Sequence, residues 1–262
     1  MKGNQKSKGL HFYRQAYSAI TDFAFYRSLL GQPLRRTLRF LLILSAHIAV
    51  FLIVLYAWVY FPKITEFADW AERNFPPLEV RNGQLAVDGD QPLIQRYQGA
   101  EVWSFVFDTL GTYTSPHGLE GNVFLMTRES LIVRVRGQTQ TYRWREFASF
   151  AVLPEDWPEI GRALQWLFFP LGYSVALALT LLTKALQALV LTPIALLVAT
   201  RYAIRLSLKH GFTIALYSLV PAVVIDLAVK STGIEISYFD LIYLAIGGIY
   251  TYLGTQRSLA IE

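Results

Sequence analysis

A single apolar stretch, Thr37–Phe61, sets the strongest limit on what this chain can fold into. Its sequence is TLRFLLILSAHIAVFLIVLYAWVYF, in which Arg39 is the one formal charge among 25 residues. A helix of about 20 apolar residues spans the hydrocarbon core of a bilayer. The stretch is therefore predicted to be a transmembrane helix, residues 37–61. It exceeds the apolar core of about 7–15 residues that a signal peptide has, and no cleavage motif follows it, so we interpret it as a permanent anchor.

Further apolar regions after residue 162 predict a C-terminal membrane domain over residues 163–262. Its spans are placed at residues 163–208, 211–230 and 238–254. The first of these regions is longer than the roughly 20 residues that one simple span needs. We predict that it crosses once as a long, tilted or kinked helix, and a hairpin of two spans is the alternative.

Charge predicts the orientation of the chain in the membrane. Residues 1–39 carry eight Lys or Arg and one acid, a net charge of +7, whereas residues 62–162 carry −4. Lys and Arg concentrate on the cytoplasmic side of membrane spans. The arm of residues 1–36 and the group Arg201, Arg205 and Lys209 are therefore predicted to be cytoplasmic. An even number of crossings then places both termini in the cytoplasm. A nucleic-acid partner is not expected, because the basic arm is short and tethered to a bilayer.

The arm also mixes aromatic residues with arginines over residues 10–32. Such a mixture is typical of the membrane–water interface. We predict an amphipathic helix lying on the cytoplasmic leaflet, with the lipid bilayer as its partner. The alternative is a cytoplasmic segment that packs on the spans. The candidate membrane-surface contacts are Arg14, Arg27, Arg35 and Arg36.

Residues 62–162 have the period-two alternation of strands. Asn82-Gly83 is a strong hairpin-turn dipeptide between the alternating runs 78–81 and 84–87. The alternation returns in four later runs, residues 102–107, 122–126, 131–136 and 139–145. The predicted fold is therefore an α-helical membrane protein with about four transmembrane helices and an inserted extracytoplasmic antiparallel β (α+β) domain. Its alternating arginines, including Arg134 and Arg136, are predicted to form a solvated edge, with anion binding as the alternative.

Few residues suggest catalytic or metal chemistry. The chain has no cysteine, which excludes disulfides, thiolate metal sites and a cysteine nucleophile. Its histidines lack the spacing of zinc ligands, and no cofactor is predicted. The segment Asp108–Gly111 resembles an aspartic-protease motif only superficially, because one residue is inserted and the second carboxylate segment is missing. A polar turn at the end of a strand is predicted there instead.

Ionisable residues inside apolar segments are costly and mark functional candidates. The candidate intramembrane polar cluster comprises Lys184, Asp226, Lys230, Asp240 and His47, and Glu235 is expected at the same level as the lysines. An ion-paired clasp at the helix ends, or lysines that extend toward the interface, is one interpretation. A proton or ion path is the other. For His47 alone, the favoured interpretation is a hydrogen-bonded residue within the first span.

Several motifs occur in the order found in a known family. They are Phe25–Arg27, Phe75–Leu85 with its Asn82-Gly83, Val106–Gly111, Val123–Leu131 and Leu216–Pro221. Together they resemble a bacterial membrane-protein family classed as domain of unknown function 1189, some members of which are labelled maltodextrin utilization protein. The resemblance implies an integral protein of the bacterial inner membrane and supplies no catalytic residues.

A non-enzymatic role is therefore expected. The chain would be an accessory, scaffold or regulatory component of an envelope or transport complex, with the exported β-domain as the module that recognises a membrane or envelope protein. A small oligomeric transporter or channel that uses the charged residues near the outer ends of the spans is the alternative, and homo-oligomerisation is kept open. A lipid- or envelope-modifying enzyme is the third and weakest hypothesis.

Overall fold

The computed structural model describes residues 8–99, 101–234 and 236–259, with only the backbone described for residues 8–11. The chain forms two compact units. One, here called the helical unit, comprises residues 1–56 and 169–262, and the other, the β unit, comprises residues 57–168. The boundaries between the units fall inside two helices, α3 (Leu34–Asn74) and α4 (Trp157–Arg201).

The described part of the helical unit contains five further helices. They are α1 (Lys8–Thr21), α2 (Phe25–Leu29), α5 (Leu208–Ser218), α6 (Val220–Ser231) and α7 (Phe239–Leu259). Ser207 caps α5 by accepting a hydrogen bond from the backbone N–H of His210. Pro221 lies in the first turn of α6, where a missing backbone N–H costs little, and α5 therefore ends just before it.

Three helical segments of the described chain are long and apolar enough to cross a membrane. They are Leu34–Asn74, Pro154–Arg201 and Leu208–Ser231. These segments support the prediction of a membrane protein in its general form. The region predicted as one long helix or a hairpin is a single helix as far as Arg201, with Pro170 and Pro193 inside it. Helix α7 has 21 residues but is not among the three, so its crossing stays a prediction.

Buried tyrosines and a glycine bring the helices of the helical unit close together. Tyr26 and Tyr217 are completely buried, and the Phe40 ring stacks on Tyr217 with 4.0 Å between centroids. A Cβ atom added to Gly254 would lie 2.7 Å from the Tyr26 ring, and one added to Gly247 would lie 2.8 Å from Leu191. The sequence predicts a small-residue face on the last helix that permits close approach, and these distances confirm it.

Helix α1 packs on the helical unit with one face. Phe12 is buried against Phe40, with 5.1 Å between ring centroids, and Ala19 is buried as well. On the other face Tyr17 is 68% exposed, and Tyr13, at the edge of this face, is 62% exposed although its hydroxyl group reaches His47. The alternative that this segment packs on the spans is therefore confirmed for the first face of α1. Contact between lipid and the exposed face stays a prediction.

The β unit contains eight strands between the end of α3 and the start of α4. They are β1 (Leu78–Arg81), β2 (Gln84–Val87), β3 (Leu93–Gln98), β4 (Val102–Asp108), β5 (Asn122–Thr127), β6 (Ser130–Val135), β7 (Gln138–Arg143) and β8 (Phe150–Val152). They form a three-stranded sheet of order β2-β1-β8 and a five-stranded sheet of order β3-β4-β5-β6-β7. The predicted Asn82-Gly83 turn is confirmed, with φ angles of 52° and 72°. Strands β3 and β8 were not predicted.

One strand pair corrects the prediction of an antiparallel domain. Strands β4 and β5 are parallel, with Phe105 opposite Phe124, whereas the other strand pairs described are antiparallel. A parallel pair needs a crossover of about a dozen residues or more, and the segment between Asp108 and Asn122 supplies one. Alternating hydrophobicity does not encode strand direction, so the sequence pattern alone could not reveal this pairing.

Two charged side chains hold this crossover in place. The Asp108 carboxylate, completely buried, accepts hydrogen bonds from the backbone N–H groups of Gly111 at 3.0 Å and Tyr113 at 2.5 Å. The Arg134 guanidinium donates to the carbonyl oxygens of Pro116, Leu119 and Gly121. Asp108 thus forms the predicted polar turn. The prediction of a solvated edge is wrong for Arg134, because backbone carbonyls bind its guanidinium group.

The core of the β unit is aromatic and rests on the end of α3. Phe75, Phe105 and Phe107 are buried in one cluster, and Phe67 and Trp70 of α3 pack against it. The start of α4 lies along the same part of α3, since a Cβ atom on Gly161 would come within 2.9 Å of Ala68. The amide nitrogen of Gln165 also donates to the Phe61 carbonyl at 3.2 Å. The sheet is thereby fixed against a helical base.

Candidate functional site

A cleft of about 820 Å³ opens in the β unit between α3 and the five-stranded sheet. Helix α3 contributes one wall, and strands β3, β4 and β5 contribute the other. The lining residues are Tyr60, Lys63, Glu66, Phe67, Tyr97, Gln98, Gly99, Glu101, Trp103, Phe105 and Phe124. Most of them are aromatic or carry charge, so the cleft combines apolar contact area with a few polar groups. That combination is typical of binding sites.

A row of stacked rings leads from the cleft into the core. Phe105 and Phe124 are neighbours in the parallel strand pair, and their rings are parallel with centroids 5.1 Å apart. Trp103 stacks on the other side of Phe124 at 5.5 Å. Phe105 also contacts Phe67 of α3, at 5.7 Å. Each ring is therefore held by a neighbour, and the cleft has a rigid aromatic wall.

The charged groups of the cleft differ in how they are paired. Glu101 accepts a hydrogen bond from Asn122 at 2.5 Å and forms an ion pair with Arg136 at 3.4 Å. Glu66 forms no ion pair with any of the described residues. Partial burial, and then the charge of Glu66, raise the pKa of Tyr97 above its ordinary value. The cleft thus presents a carboxylate beside aromatic rings, an arrangement that suits an apolar side chain next to a basic group.

Exposed aromatic residues occur on both helices at the base of the β unit. Trp58 of α3 and Trp166 of α4 are 83% and 76% exposed. Tyr60, two residues after Trp58, lines the cleft and is 48% exposed. Trp and Tyr are enriched at membrane–water interfaces. Tyr60 thus connects the exposed aromatic segment of α3 to the cleft.

The predicted intramembrane polar cluster centres on Lys184. Its ammonium group is buried, donates to the hydroxyl of Tyr243 at 3.0 Å and to Gln187 at 3.1 Å, and lies 4.3 Å from the Tyr243 ring centroid. Asp226 and Lys230 form an ion pair at 2.8 Å on α6. Asp240 lies in the first turn of α7, the helix that carries Tyr243, and Glu235 lies outside the described residues. The structure thus joins Lys184 to α7 and Asp226 to Lys230 through separate contacts.

His47, the fifth residue of the predicted cluster, lies elsewhere in the helical unit. Its Nε2 atom is 2.8 Å from the hydroxyl of Tyr13, and its Nδ1 atom is 2.7 Å from the Ile43 carbonyl oxygen. The imidazole stacks on Phe12 with centroids 5.1 Å apart. His47 therefore fixes α1 against α3 and is not joined to Lys184.

The four predicted membrane-surface arginines are all exposed, but they fall into two groups. Arg35 and Arg36 line a second cleft, of about 450 Å³, between α1 and the start of α3. Arg39, which the sequence analysis did not select, lines it as well. Arg14 and Arg27 do not line this cleft, although Arg27 has other interactions. The spacing of Arg39 from Arg35 and Arg36, four and three residues, was the signal in the sequence.

Other site residues were also missed. The aromatic wall depends on β3, which was not predicted, and on a strand pairing that sequence alternation does not reveal. Tyr243 lies three residues after Asp240, so helical spacing could have linked it to the predicted cluster. Among residues 8–99, 101–234 and 236–259, no three His, Asp or Glu side chains are grouped closely enough to hold a metal ion.

A family model described as "Protein of unknown function (DUF1189)" matches residues 13–255. The match extends from α1 into α7 and therefore includes both units and both clefts. It confirms the resemblance that the sequence motifs indicate. No curated protein and no solved structure matches the chain.

Proposed function

The chain belongs to the DUF1189 family of proteins of unknown function, and on that premise we propose a role from its geometry. We propose a non-enzymatic protein of the bacterial inner membrane that serves as an accessory, scaffold or regulatory component of an envelope or transport complex. In this proposal the β unit lies outside the cytoplasm and recognises a partner protein. The four crossings are α3, α4, α5 with α6, and α7, and both termini are cytoplasmic.

Charge and length support this topology. Arg201, Arg205 and Lys209 lie from the end of the second span-capable helix to the start of the third. Residues 1–39, with a net charge of +7, lie before and at the start of the first. Both basic groups lie within the range of about 15–20 residues from a span end in which Lys and Arg set orientation. A crossing by α7 returns the chain to the side of the basic groups.

Single cysteines test the topology, because the native chain contains none. We place them at Gln84 in the β unit, at Ser207 before α5 and at Gln256 in α7. A membrane-impermeant thiol reagent applied to spheroplasts should label position 84 alone, and positions 207 and 256 should react only after the membrane is permeabilised. Labelling of position 256 in intact spheroplasts would refute the crossing by α7.

The open aromatic cleft of the β unit is the observation that carries the recognition role. Trp103 and Phe124 are half-buried beside this cleft, and Phe105 is buried next to them. Here the row borders an open cleft, and Tyr and Trp side chains are the anchors most enriched in protein interfaces. Because Glu66 and Lys63 both line the cleft without an ion-pair partner among the described residues, the best-fitting partner segment has an apolar anchor next to charged groups.

Site-specific photocrosslinking tests this role in living cells. A photoreactive phenylalanine analogue replaces Gln98, an exposed residue of the cleft, and the matched control replaces Gln138, an exposed residue on β7 of the same sheet. We expect a discrete crosslinked protein from position 98 and not from position 138. Trp103→Ser, which removes one end of the aromatic row, should abolish that product. Equal products from both positions, or none from position 98, would contradict the proposal.

A small oligomeric transporter or channel is the second candidate function, and one observation favours it. Lys184 is buried in a span-capable helix without an ion-pair partner within 4.0 Å among the described residues. Intramembrane charges of this kind often lie on ion or proton paths. Purified protein in liposomes distinguishes the two functions. A flux of an ion or solute that Asp226→Asn abolishes would favour transport over the recognition role.

A further inference from the structure

The cleft between α1 and α3 has a cationic end and an apolar end. Its lining residues are Phe12, Gln15, Pro33, Arg35, Arg36, Arg39, Phe40 and Ile43. The three arginines come from the first two turns of α3, and the two apolar residues that follow on the same helix are Phe40 and Ile43. The cleft therefore changes from three guanidinium groups to an apolar surface within about one helical turn, roughly 5 Å.

Helical spacing collects the three arginines on one face. Arg39 lies four residues after Arg35 and three after Arg36, so the three side chains emerge as neighbours. None of them forms an ion pair with a described acidic residue. The first turn of α3 also contains no acid, and the N-terminal end of a helix adds positive potential of its own. The cleft is thus a volume of about 450 Å³ with concentrated and uncompensated positive charge.

The apolar end of the cleft is rigid. Phe12 of α1 packs on Phe40 at 5.1 Å, and Phe40 in turn stacks on the buried Tyr217 at 4.0 Å. Gln15 is fixed as well, because its side-chain oxygen accepts a hydrogen bond from the Tyr217 hydroxyl at 3.2 Å. An apolar chain that lies against Ile43 therefore finds a surface that is already formed, with the buried Phe40 behind it.

We propose that this cleft binds an anionic phospholipid. The phosphate of the headgroup lies among Arg35, Arg36 and Arg39, and an acyl chain begins against Ile43. Guanidinium groups bind phosphate oxygens through paired hydrogen bonds. Basic pockets between membrane helices are a recurring form of site for anionic lipid headgroups. This site is independent of the recognition role of the β unit.

Lipid binding to the purified full-length protein tests the proposal. Lipid-depleted protein in detergent is titrated with phosphatidylglycerol or with zwitterionic phosphatidylcholine, and bound lipids are counted by native mass spectrometry. We expect phosphatidylglycerol to bind at least about tenfold more tightly. The variant Arg35→Gln/Arg36→Gln/Arg39→Gln should lose this preference, by about fivefold for each arginine removed.

A matched control separates the cleft from general surface charge. The variant Arg201→Gln/Arg205→Gln/Lys209→Gln removes the same charge from exposed residues outside the cleft. It should keep the preference for phosphatidylglycerol. An equal loss in both triple variants would overturn the proposal, because binding would then follow net charge alone.

Two further measurements keep the test decisive if the cleft variant folds poorly. Gln15→Glu preserves the size of the side chain and its acceptor for Tyr217 but adds a negative charge to the cleft. It should weaken phosphatidylglycerol binding by about tenfold, and unchanged binding would overturn the proposal. Inorganic phosphate, added at millimolar concentration, should not displace the lipid. Displacement would assign the arginines to a soluble phosphate and overturn the lipid assignment.

Discussion

The two units of the chain use different kinds of side chain to hold their backbone segments in place. In the β unit, the Asp108 carboxylate and the Arg134 guanidinium hold the crossover between β4 and β5 through hydrogen bonds to backbone groups. In the helical unit, the Tyr26 hydroxyl donates to the Ala19 carbonyl at 3.0 Å. The closest helix contact there is made possible by Gly254, against the Tyr26 ring. The first unit thus uses charged side chains where the second uses neutral hydroxyls and glycine.

This difference in side-chain chemistry follows from the cost of a charged group, which is higher in a bilayer than in water. A charged side chain in a bilayer is costly, so membrane helices associate through small residues and neutral hydrogen bonds. The pair Thr37 and Thr213, with hydroxyl oxygens 3.0 Å apart, is a further case in the helical unit. In a domain surrounded by water, a carboxylate or guanidinium group is available at lower cost. Lys184 departs from this rule, which is why it carries the alternative function.

The largest expected effect on stability concerns the buried carboxylate of Asp108. Asp108→Ala leaves two buried backbone N–H groups without an acceptor and should destabilise the β unit by about 3 kcal/mol. Asp108→Asn keeps one acceptor oxygen and should cost about half as much. Thermal unfolding of the full chain in detergent, with hydrogen exchange followed at residues 109–121, measures both. Exchange at the wild-type rate in the alanine variant would show that the crossover is held by other contacts.

A smaller effect is expected at the glycine contact of the helical unit. A Cβ atom at Gly254 would lie 2.7 Å from the Tyr26 ring, whereas one at Gly248 would lie 3.4 Å from the flexible end of Ile194. Gly254→Ala should therefore lower stability by about 2 kcal/mol through overpacking. Gly248→Ala, the same chemical change, should be neutral or gain up to about 1 kcal/mol in helix propensity. Similar melting temperatures for the two variants would show that the helical unit does not depend on a glycine at position 254.

A smaller loss of stability is expected when the neutral hydroxyl group of Tyr26 is removed from the helical unit. Tyr26→Phe removes one buried hydrogen bond to the Ala19 carbonyl and should cost about 1 kcal/mol. Tyr17→Phe alters a tyrosine that is 68% exposed and should stay within about 0.5 kcal/mol of wild type. Chemical unfolding of the two variants in the same detergent compares them. A larger loss of unfolding free energy in Tyr17→Phe than in Tyr26→Phe would show that the buried hydroxyl of Tyr26 does not stabilise the helical unit.

The smallest expected effect is a change in proton affinity at the aromatic cleft. Partial burial and the negative charge of Glu66 disfavour the Tyr97 phenolate and raise its pKa. Its contribution to stability is therefore present at neutral pH and is lost as the pH rises through the raised pKa. Glu66→Gln removes the charge, so Tyr97 should ionise at lower pH than in wild type. The ultraviolet absorbance of the phenolate follows the titration, and Tyr97→Phe identifies which part of the signal belongs to Tyr97. An unchanged titration in Glu66→Gln would show that the charge of Glu66 does not act on Tyr97.

Local patterns in the sequence were sufficient for elements whose cause is local. Thr37–Phe61 is almost entirely apolar, with one formal charge, and Asn82-Gly83 forms its hairpin turn through its own backbone preference. Strand β3 was missed because its apolar residues, at positions 93, 94 and 97, do not alternate, although its burial does. Strand β8 has three residues, too few for a pattern.

The site shows the same division between local and long-range causes. Lys184 and Asp226 were predicted, since a charge among apolar residues is visible in the sequence itself. The aromatic wall was not predicted, because the parallel pairing of β4 with β5 places Trp103 beside Phe124. His47 forms the hydrogen bonds expected of a residue within a span, to the Ile43 carbonyl on its own helix and to Tyr13 on α1. Its contact with α1 was not predicted, because no spacing in the sequence connects the two helices.

The pairing of the first and last strands of the β unit has a consequence for how this fold can change in evolution. Strand β1 pairs with β8, with Leu78 opposite Val152 and Val80 opposite Phe150, so the chain enters and leaves the strands at adjoining points. Domains with adjoining ends tolerate insertion, removal and permutation. Residues 78–152 are therefore suited to exchange as a cassette, in which descendants replace one set of strands by another while the apolar helices on either side keep their sequence.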